Sequence, residues 1–416
     1  MRRHAGVGKS RWYKRGRRLL GSGGGRIGGS GRAARHGFPR NRRQHLPRLR
    51  GLDDKFRGEL AQIVLPYVRR AWIDVQDPDG KLVRFDPNHA LKIWALTEPR
   101  ICADYLLLDE AQDTNPVMEK IFNSQRSQAQ LVMVGDSAQA IYGWRGARDV
   151  MTDFEGRQLT LSQSFRFGQA LADEANRWLM IVQSPLRLRG TPAIDTLIGP
   201  LEQADAVLCR TNGGAITEIF KLLEQGKRVA LVGGKKSLAE LAKAAGDLKA
   251  GRRATHPDLV LFQSWDELME YAEDDPDGQD LLPLVEIIEK HGVTKVLDAM
   301  NRLHAENEAE VTLSTAHKAK GREWDNVRIA GDFREPASHD RDLKGNPLPG
   351  ELSLDDARLA YVAVTRARRH LDLGGLAWID DHPNGSPRAA PSGPPQRLPP
   401  GHQPPSPWDR LGPAPS

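Results

Sequence analysis

Tyr105-Leu-Leu-Leu-Asp-Glu-Ala-Gln-Asp113 is the stretch that decides the fold. A short apolar run that stops at two carboxylates reads as a buried strand whose carboxyl end carries chemistry. Leu131-Val-Met-Val-Gly-Asp136 repeats the pattern after a stretch, 115–123, with helical apolar spacing. Strand, helix and strand in that order form the unit of a parallel sheet. Further out, helical patterns recur at 168–182 and 213–225. Val207-Leu-Cys209, Val229 to Val232, Leu259-Val-Leu-Phe262, Val311-Thr-Leu313 and Val327-Arg-Ile329 read as more strands. Phe56 to Val68 and His89 to Leu96 have helical spacing. The expected class is α/β with parallel sheets, and the acidic stretch 265–308 reads as a helical insertion between sheet segments.

The chain has 416 residues, 39% of them hydrophobic and 27% charged, enough for two or three domains with their own cores. No apolar run approaches the length of a membrane span, and the basic N-terminus lacks the apolar core of a signal peptide. The two cysteines, Cys102 and Cys209, lie far apart without metal-like spacing, which argues against a disulfide scaffold and for a reducing compartment. A cytoplasmic or nuclear setting is the default, and a cytoplasmic location, nucleoid-associated in a bacterium, is the expectation.

Charge is unevenly placed. Residues 1–50 hold fourteen Arg, two Lys and no acidic residue, so the net +6 leaves −10 for the rest. Such an arm would attract phosphate backbones. Its Arg/Gly composition, without helical or strand period, reads as disordered or as sequence foreign to the fold. From His382 to the end twelve of 35 residues are Pro, which reads as a disordered extension.

Asp109 at a strand end suits Mg²⁺ beside a nucleotide, and Glu110 suits the polarisation of a water for attack on a γ-phosphate. A solvated acidic turn is the plainer alternative. After the second strand come Gln139, a candidate γ-phosphate sensor, and Tyr142 and Trp144, which could stack on unpaired bases. Trp144 taken alone would more often be core.

These residues resemble motifs II and III of superfamily 1 helicases of the UvrD/Rep type. Leu159-Thr-Leu-Ser-Gln-Ser-Phe-Arg-Phe-Gly168 resembles motif IV in a form similar to the F-box DNA helicase branch and its bacterial and phage relatives. Arg166 is then the matching γ-phosphate arginine. Leu313-Ser-Thr-Ala-His-Lys-Ala-Lys-Gly-Arg-Glu-Trp-Asp325 resembles motif V, with Arg322 where the family usually has Leu. By that resemblance Thr315 and His317 contact the DNA backbone, Gly321 lets the chain approach the nucleotide, and Glu323 binds the ribose. Arg358 to Ala367 resembles motif VI, which makes Arg366 the arginine finger. Ala206-Val-Leu-Cys-Arg-Thr-Asn212 and Val229-Ala-Leu-Val-Gly-Gly234 are similar to the second core of the same branch, so the resemblance covers about residues 85–375.

The phosphate cradle this implies is Ala5-Gly6-Val7-Gly8-Lys9-Ser10, with Lys9 on the β/γ-phosphates and Ser10, beside Asp109, on Mg²⁺. It is short of the full pattern, with Arg3 at the first glycine position, and the adenine-reading glutamine segment does not precede it. Residues 11–50 also lack the family's early DNA-contact run, as a disrupted N-terminal region would.

The expected architecture is therefore two RecA-like parallel-sheet cores of the P-loop NTPase type with helical insertions. Residues 1–50 carry the phosphate-loop remnant at 5–10. Residues 51–160 form the first core, 161–381 the second with its insertion near 265–308, and 382–416 the tail. The resemblance implies an ATP- and Mg²⁺-dependent helicase, monomeric, moving 3′-to-5′ on single-stranded DNA in recombination or repair. The alternatives are a remnant that binds nucleic acid without ATP turnover and an RNA-directed motor.

Overall fold

The computed structural model describes residues 54–143, 146–274, 276–341 and 347–385. The chain divides into two units after Gly58, and every described strand lies in the second, from Glu59 onward. Helix α1 (Asp54–Gln76) runs further than its apolar spacing predicts, and α2 (Pro87–Leu96) starts on an Asp86 cap with Pro at its first turn. No described helix is long and apolar enough to cross a membrane.

Strands β1 (Tyr105–Leu108) and β2 (Gln130–Met133) pair in parallel, Leu108 opposite Met133. Helix α3 (Pro116–Ser124) makes the crossover a parallel pair requires, and the Asn115 side chain caps it by accepting from Val117 N and Met118 N. The register sets Asp109-Glu110 and Gly135-Asp136 side by side at one carboxyl edge.

The larger sheet is built from β3 (Leu197–Ile198), β4 (Ala206–Cys209), β5 (Val229–Leu231), β6 (Val311–Thr315), β7 (Trp324–Ile329) and β10 (Ala367–Asp372). Its six strands are all parallel, in the order β3-β10-β7-β4-β6-β5. The intervening β8 (Ala337–Arg341) and β9 (Pro347–Pro349) form a separate antiparallel pair. Alternate residues of β4 serve opposite layers. Val207 and Cys209 join a core built with α5 (Asn212–Glu224), α6 (Lys236–Lys249), α7 (Trp265–Asp274) and α8 (Leu282–Asn301). Ala206 and Leu208 join the other, built with α4 (Gln169–Ile181) and α9 (Leu354–Val364). Ala138 and Ile141, from the loop after β2, are buried in that second core, which fastens the small sheet's functional loop to the large sheet's layer.

The parallel α/β class holds, and 265–308 is helical as far as Asn301. β1 is not the buried strand its apolar run implies: Tyr105 and Leu107 are 64% and 74% exposed, because alternate side chains of a two-stranded sheet face away from the layer that covers it. Leu259-Val-Leu-Phe262 is corrected: it is a turn, not a strand. Val260 N donates to His256 O (2.8 Å) and Phe262 N to Leu259 O (3.1 Å), so its backbone bonds close locally. Leu259 and Phe262 bury their side chains in the helical layer, which accounts for the apolar run without a strand partner. The trailing Pro-rich segment and residues 1–50 fall outside the described residues, apart from 382–385.

Candidate active site

The loop after β1 begins with strain. Glu110 has φ 51° and ψ 41°, the left-handed region, which costs about 1–3 kcal/mol for a residue with a Cβ. That turn brings the Glu110 carboxylate to Lys320, at 3.0 Å, and to Gln112, whose Nε2 donates to Oε2 at 2.5 Å. Lys320 Nζ also donates to Asp113 and to the Gln139 carbonyl (3.3 Å). Burial acts against the Glu110 charge, but the Lys320 hydrogen bond and charge, helped by Gln112 and Arg366, hold its carboxyl below the usual range. At Asp113 burial wins over Lys320 and the carboxyl is pushed up. Its Oδ1 is buried with no hydrogen-bond partner among the described residues.

The loop after β2 is organised by Asp136. Its Oδ1 accepts from Ala138 N (3.0 Å), and its Oδ2 accepts from Gln139 Nε2 (2.8 Å) and from the Tyr361 hydroxyl (2.8 Å) on α9. Asp136 N donates to Gln112 Oε1 at 3.0 Å, joining the two loops. Gly135 is required here, because a Cβ would strike that same oxygen. Tyr142 donates its hydroxyl to His317 O (2.8 Å), and Lys320 Nζ lies 5.7 Å above its ring.

The two arginines arrive from distant parts of the chain. Arg366, after α9, is 2% exposed and donates to Val362 O (2.9 Å), Thr365 Oγ1 (2.9 Å) and Arg322 O (3.4 Å). Arg166 donates to Glu323 Oε2 (2.5 Å) and to Thr365 O (3.1 Å). Burial first, and the neighbouring Arg166 charge second, pull the Arg366 guanidinium down to about 10. The Arg166 charge beside a buried Arg366 makes this the most positive point of the site, which favours an anion nearby.

Seven of the residues singled out in the sequence therefore meet in one place: Asp109, Glu110, Gln139, Tyr142, Arg166, Glu323 and Arg366. Gly321 has φ 78° with open space where a Cβ would stand, so the backbone there can be approached closely. Thr315 is buried and its hydroxyl accepts from Lys318 N (3.4 Å), a turn-forming role. Gly6, Val7, Gly8, Lys9, Ser10 and Trp144 lie outside the described residues. Mg²⁺ takes one or two carboxylates and completes its octahedron with water and phosphate. Asp109 fits that: it is exposed at the strand end, with Oδ1 accepting from Glu110 N at 2.9 Å. Gln112, Lys320 and Tyr361 also build the site. Each sits inside a motif quoted from the sequence, but none carries a local signal of its role.

Two family models match the chain: UvrD/REP helicase N-terminal domain at residues 90–155, and UvrD-like helicase C-terminal domain at residues 235–374. The chain is similar to F-box DNA helicase protein 1 of Schizosaccharomyces pombe, 29% identical over 343 residues that cover 74% of this chain and 38% of that protein. It is 28% identical to F-box DNA helicase 1 of Gallus gallus, over 75% of this chain and 33% of the other. A shorter stretch of 81 residues is 42% identical to ATP-dependent DNA helicase PcrA of Leuconostoc citreum, covering 18% of this chain and 11% of that one. The chain thus spans about a third of the two F-box relatives' lengths.

Proposed function

Because the chain belongs to the UvrD/Rep family of helicases, we propose that it is an ATP-driven motor acting on single-stranded DNA. One observation carries the reading. Glu110, the Asp136-held Gln139, Arg166, Glu323 and Arg366 converge in one cluster although they span the chain from 110 to 366.

In this reading residues 51–160 supply the first core and 161–381 the second, with ATP between them. Glu110, kept ionised by Lys320, accepts a proton from the attacking water and aims it at the γ-phosphate. Gln139 donates its amide to the same phosphate once the nucleotide displaces its bond to Asp136. Arg166 and Arg366 neutralise charge that grows on the transferred group. Glu323, released from Arg166, takes the ribose hydroxyls. Asp109 and Ser10 would hold Mg²⁺, which offsets phosphate charge when bound, and Lys9 with Gly6, Val7 and Gly8 would cradle the β/γ-phosphates.

Tyr142 is fastened to the carbonyl of His317, so a nucleotide-driven shift at Gln139 reaches the segment assigned to DNA. Tyr142 and Trp144 would stack on bases, and His317 and Thr315 would face the strand's backbone. The 3′-to-5′ direction and a role in recombination or repair are carried over from the family resemblance, and a monomeric state and a cytoplasmic location complete the proposal.

The test is ATP turnover by the full chain with and without single-stranded DNA. Hydrolysis stimulated by DNA, and lost in Glu110→Gln and Lys9→Ala, is expected. Salt-sensitive DNA binding without hydrolysis would replace this reading with the non-catalytic one. Preferential stimulation by a matched RNA strand would make it an RNA motor. Unwinding of 3′-tailed over 5′-tailed duplexes checks the direction.

A further inference from the structure

Tyr361 stands apart from the groups that would meet a nucleotide. It is 2% exposed, in the last turn of α9, and its hydroxyl reaches across to the loop after β2. Burial, with the Asp136 charge behind it, pushes the phenol up, so it remains a hydrogen-bond donor throughout the working pH range. Asp136 Oδ2 receives that bond and the Gln139 amide together, each at 2.8 Å. The Asp136 amide continues to Gln112 Oε1 (3.0 Å), and Gln112 Nε2 continues to Glu110 Oε2 (2.5 Å). Gln112 is 1% exposed, and each end of its amide has a partner in this chain of bonds.

We infer that Tyr361 is a positioning residue: through Asp136 and Gln112 it sets the Glu110 carboxylate, and through Asp136 it sets Gln139. The inference rests on the motor reading for what Glu110 and Gln139 do, and on geometry alone for how they are held. Glu110 sits on a strained backbone and is largely exposed, so its side chain needs an external restraint. Lys320 supplies charge, which it shares with Asp113. Gln112 supplies direction, because a buried amide with both ends bonded has only one orientation that satisfies it. Gly135 makes room for that orientation. Arg366 lies two residues beyond the end of α9, so the helix that leads to the arginine finger also sets the water-activating carboxylate.

The test is Tyr361→Phe in the full chain, which removes one hydroxyl and keeps the packing. Selective ¹⁵N labelling of glutamine side chains gives the direct readout, with Gln112→Asn and Gln139→Asn used to assign the signals. The Gln112 and Gln139 amide signals should shift in Tyr361→Phe while other glutamines stay put. The kcat for ATP should fall about tenfold, near the value of one hydrogen bond, with KM within about twofold. Unmoved amide signals overturn the inference whatever the rate does. Shifted signals with an unchanged kcat overturn it too, since the relay would then position nothing that matters. An unmodified chain that hydrolyses no ATP would sink the motor reading alone, because the amide signals report the relay without turnover.

Discussion

The two parallel sheets of this chain differ in how they are supported. In the large sheet β4 and β6 are buried at every position, and the alternate side chains of β4 feed two separate helical layers. In the small sheet β1 buries nothing completely, and Leu107 is 74% exposed. Yet loops from both sheets meet where Lys320 bonds Glu110 and the Gln139 carbonyl. An apolar strand is an offer of burial, and its stability depends on what covers it. The large sheet holds the fold, while the small one is held in part through Ala138 and Ile141, which sit in the large sheet's layer.

The contrast is most vulnerable at Glu110. Glu110→Gln should lower kcat for ATP by about 100-fold or more, the usual worth of a proton acceptor, with the urea midpoint unchanged. A parallel loss of stability would mean that the small sheet is structural after all. Next comes Leu208→Ala in β4, fully buried, which should lower stability by about 2–5 kcal/mol in urea unfolding. Leu107→Ala in β1 should change it by no more than about 0.5 kcal/mol. Equal effects of the two would erase the contrast.

The weakest effect should come from Asp332, which accepts from Arg210 N (3.0 Å), Thr211 N (2.8 Å) and the Thr211 hydroxyl (3.0 Å) beside the large sheet. Burial outweighs those bonds and pushes its carboxyl above the ordinary 3.8. The folded chain therefore binds this proton more readily than the unfolded one. Stability from this group is gained as pH falls through the folded value and is complete below the ordinary one. Relative to Asp332→Asn, the native chain should gain stability as the pH falls from neutral towards 3.8, read from urea midpoints. A difference independent of pH would refute the assignment.

Much of the fold can be read in advance because parallel strands are short apolar runs with turn signals at their ends. β1, β2, β4, β5, β6 and β7 are all visible that way. Leu259-Val-Leu-Phe262 has the same texture and is a turn, since burial against helices calls for the same residues as burial in a sheet. β10 is hidden because Ala367-Arg-Arg-His-Leu-Asp372 presents few apolar side chains to read. In the site, Asp109, Glu110, Gln139, Arg166 and Arg366 are legible as chemical types at strand and helix ends. The role of Lys320 is not, because its partners Glu110 and Asp113 lie on a different sheet's loop.

Neighbours along the chain set strand ends and helix caps, so the amino-acid order alone fixes which groups are present and at which edge of each strand they stand. Which groups touch is settled by packing. Tyr361 meets Asp136 across 225 positions, and Lys320 meets Asp113 across 207. Such bonds depend on where packed layers bring distant backbones, and hydrogen bonds act only over about 3 Å. The strand ends follow from local pattern, whereas the relay that joins them exists only once both sheets share a core.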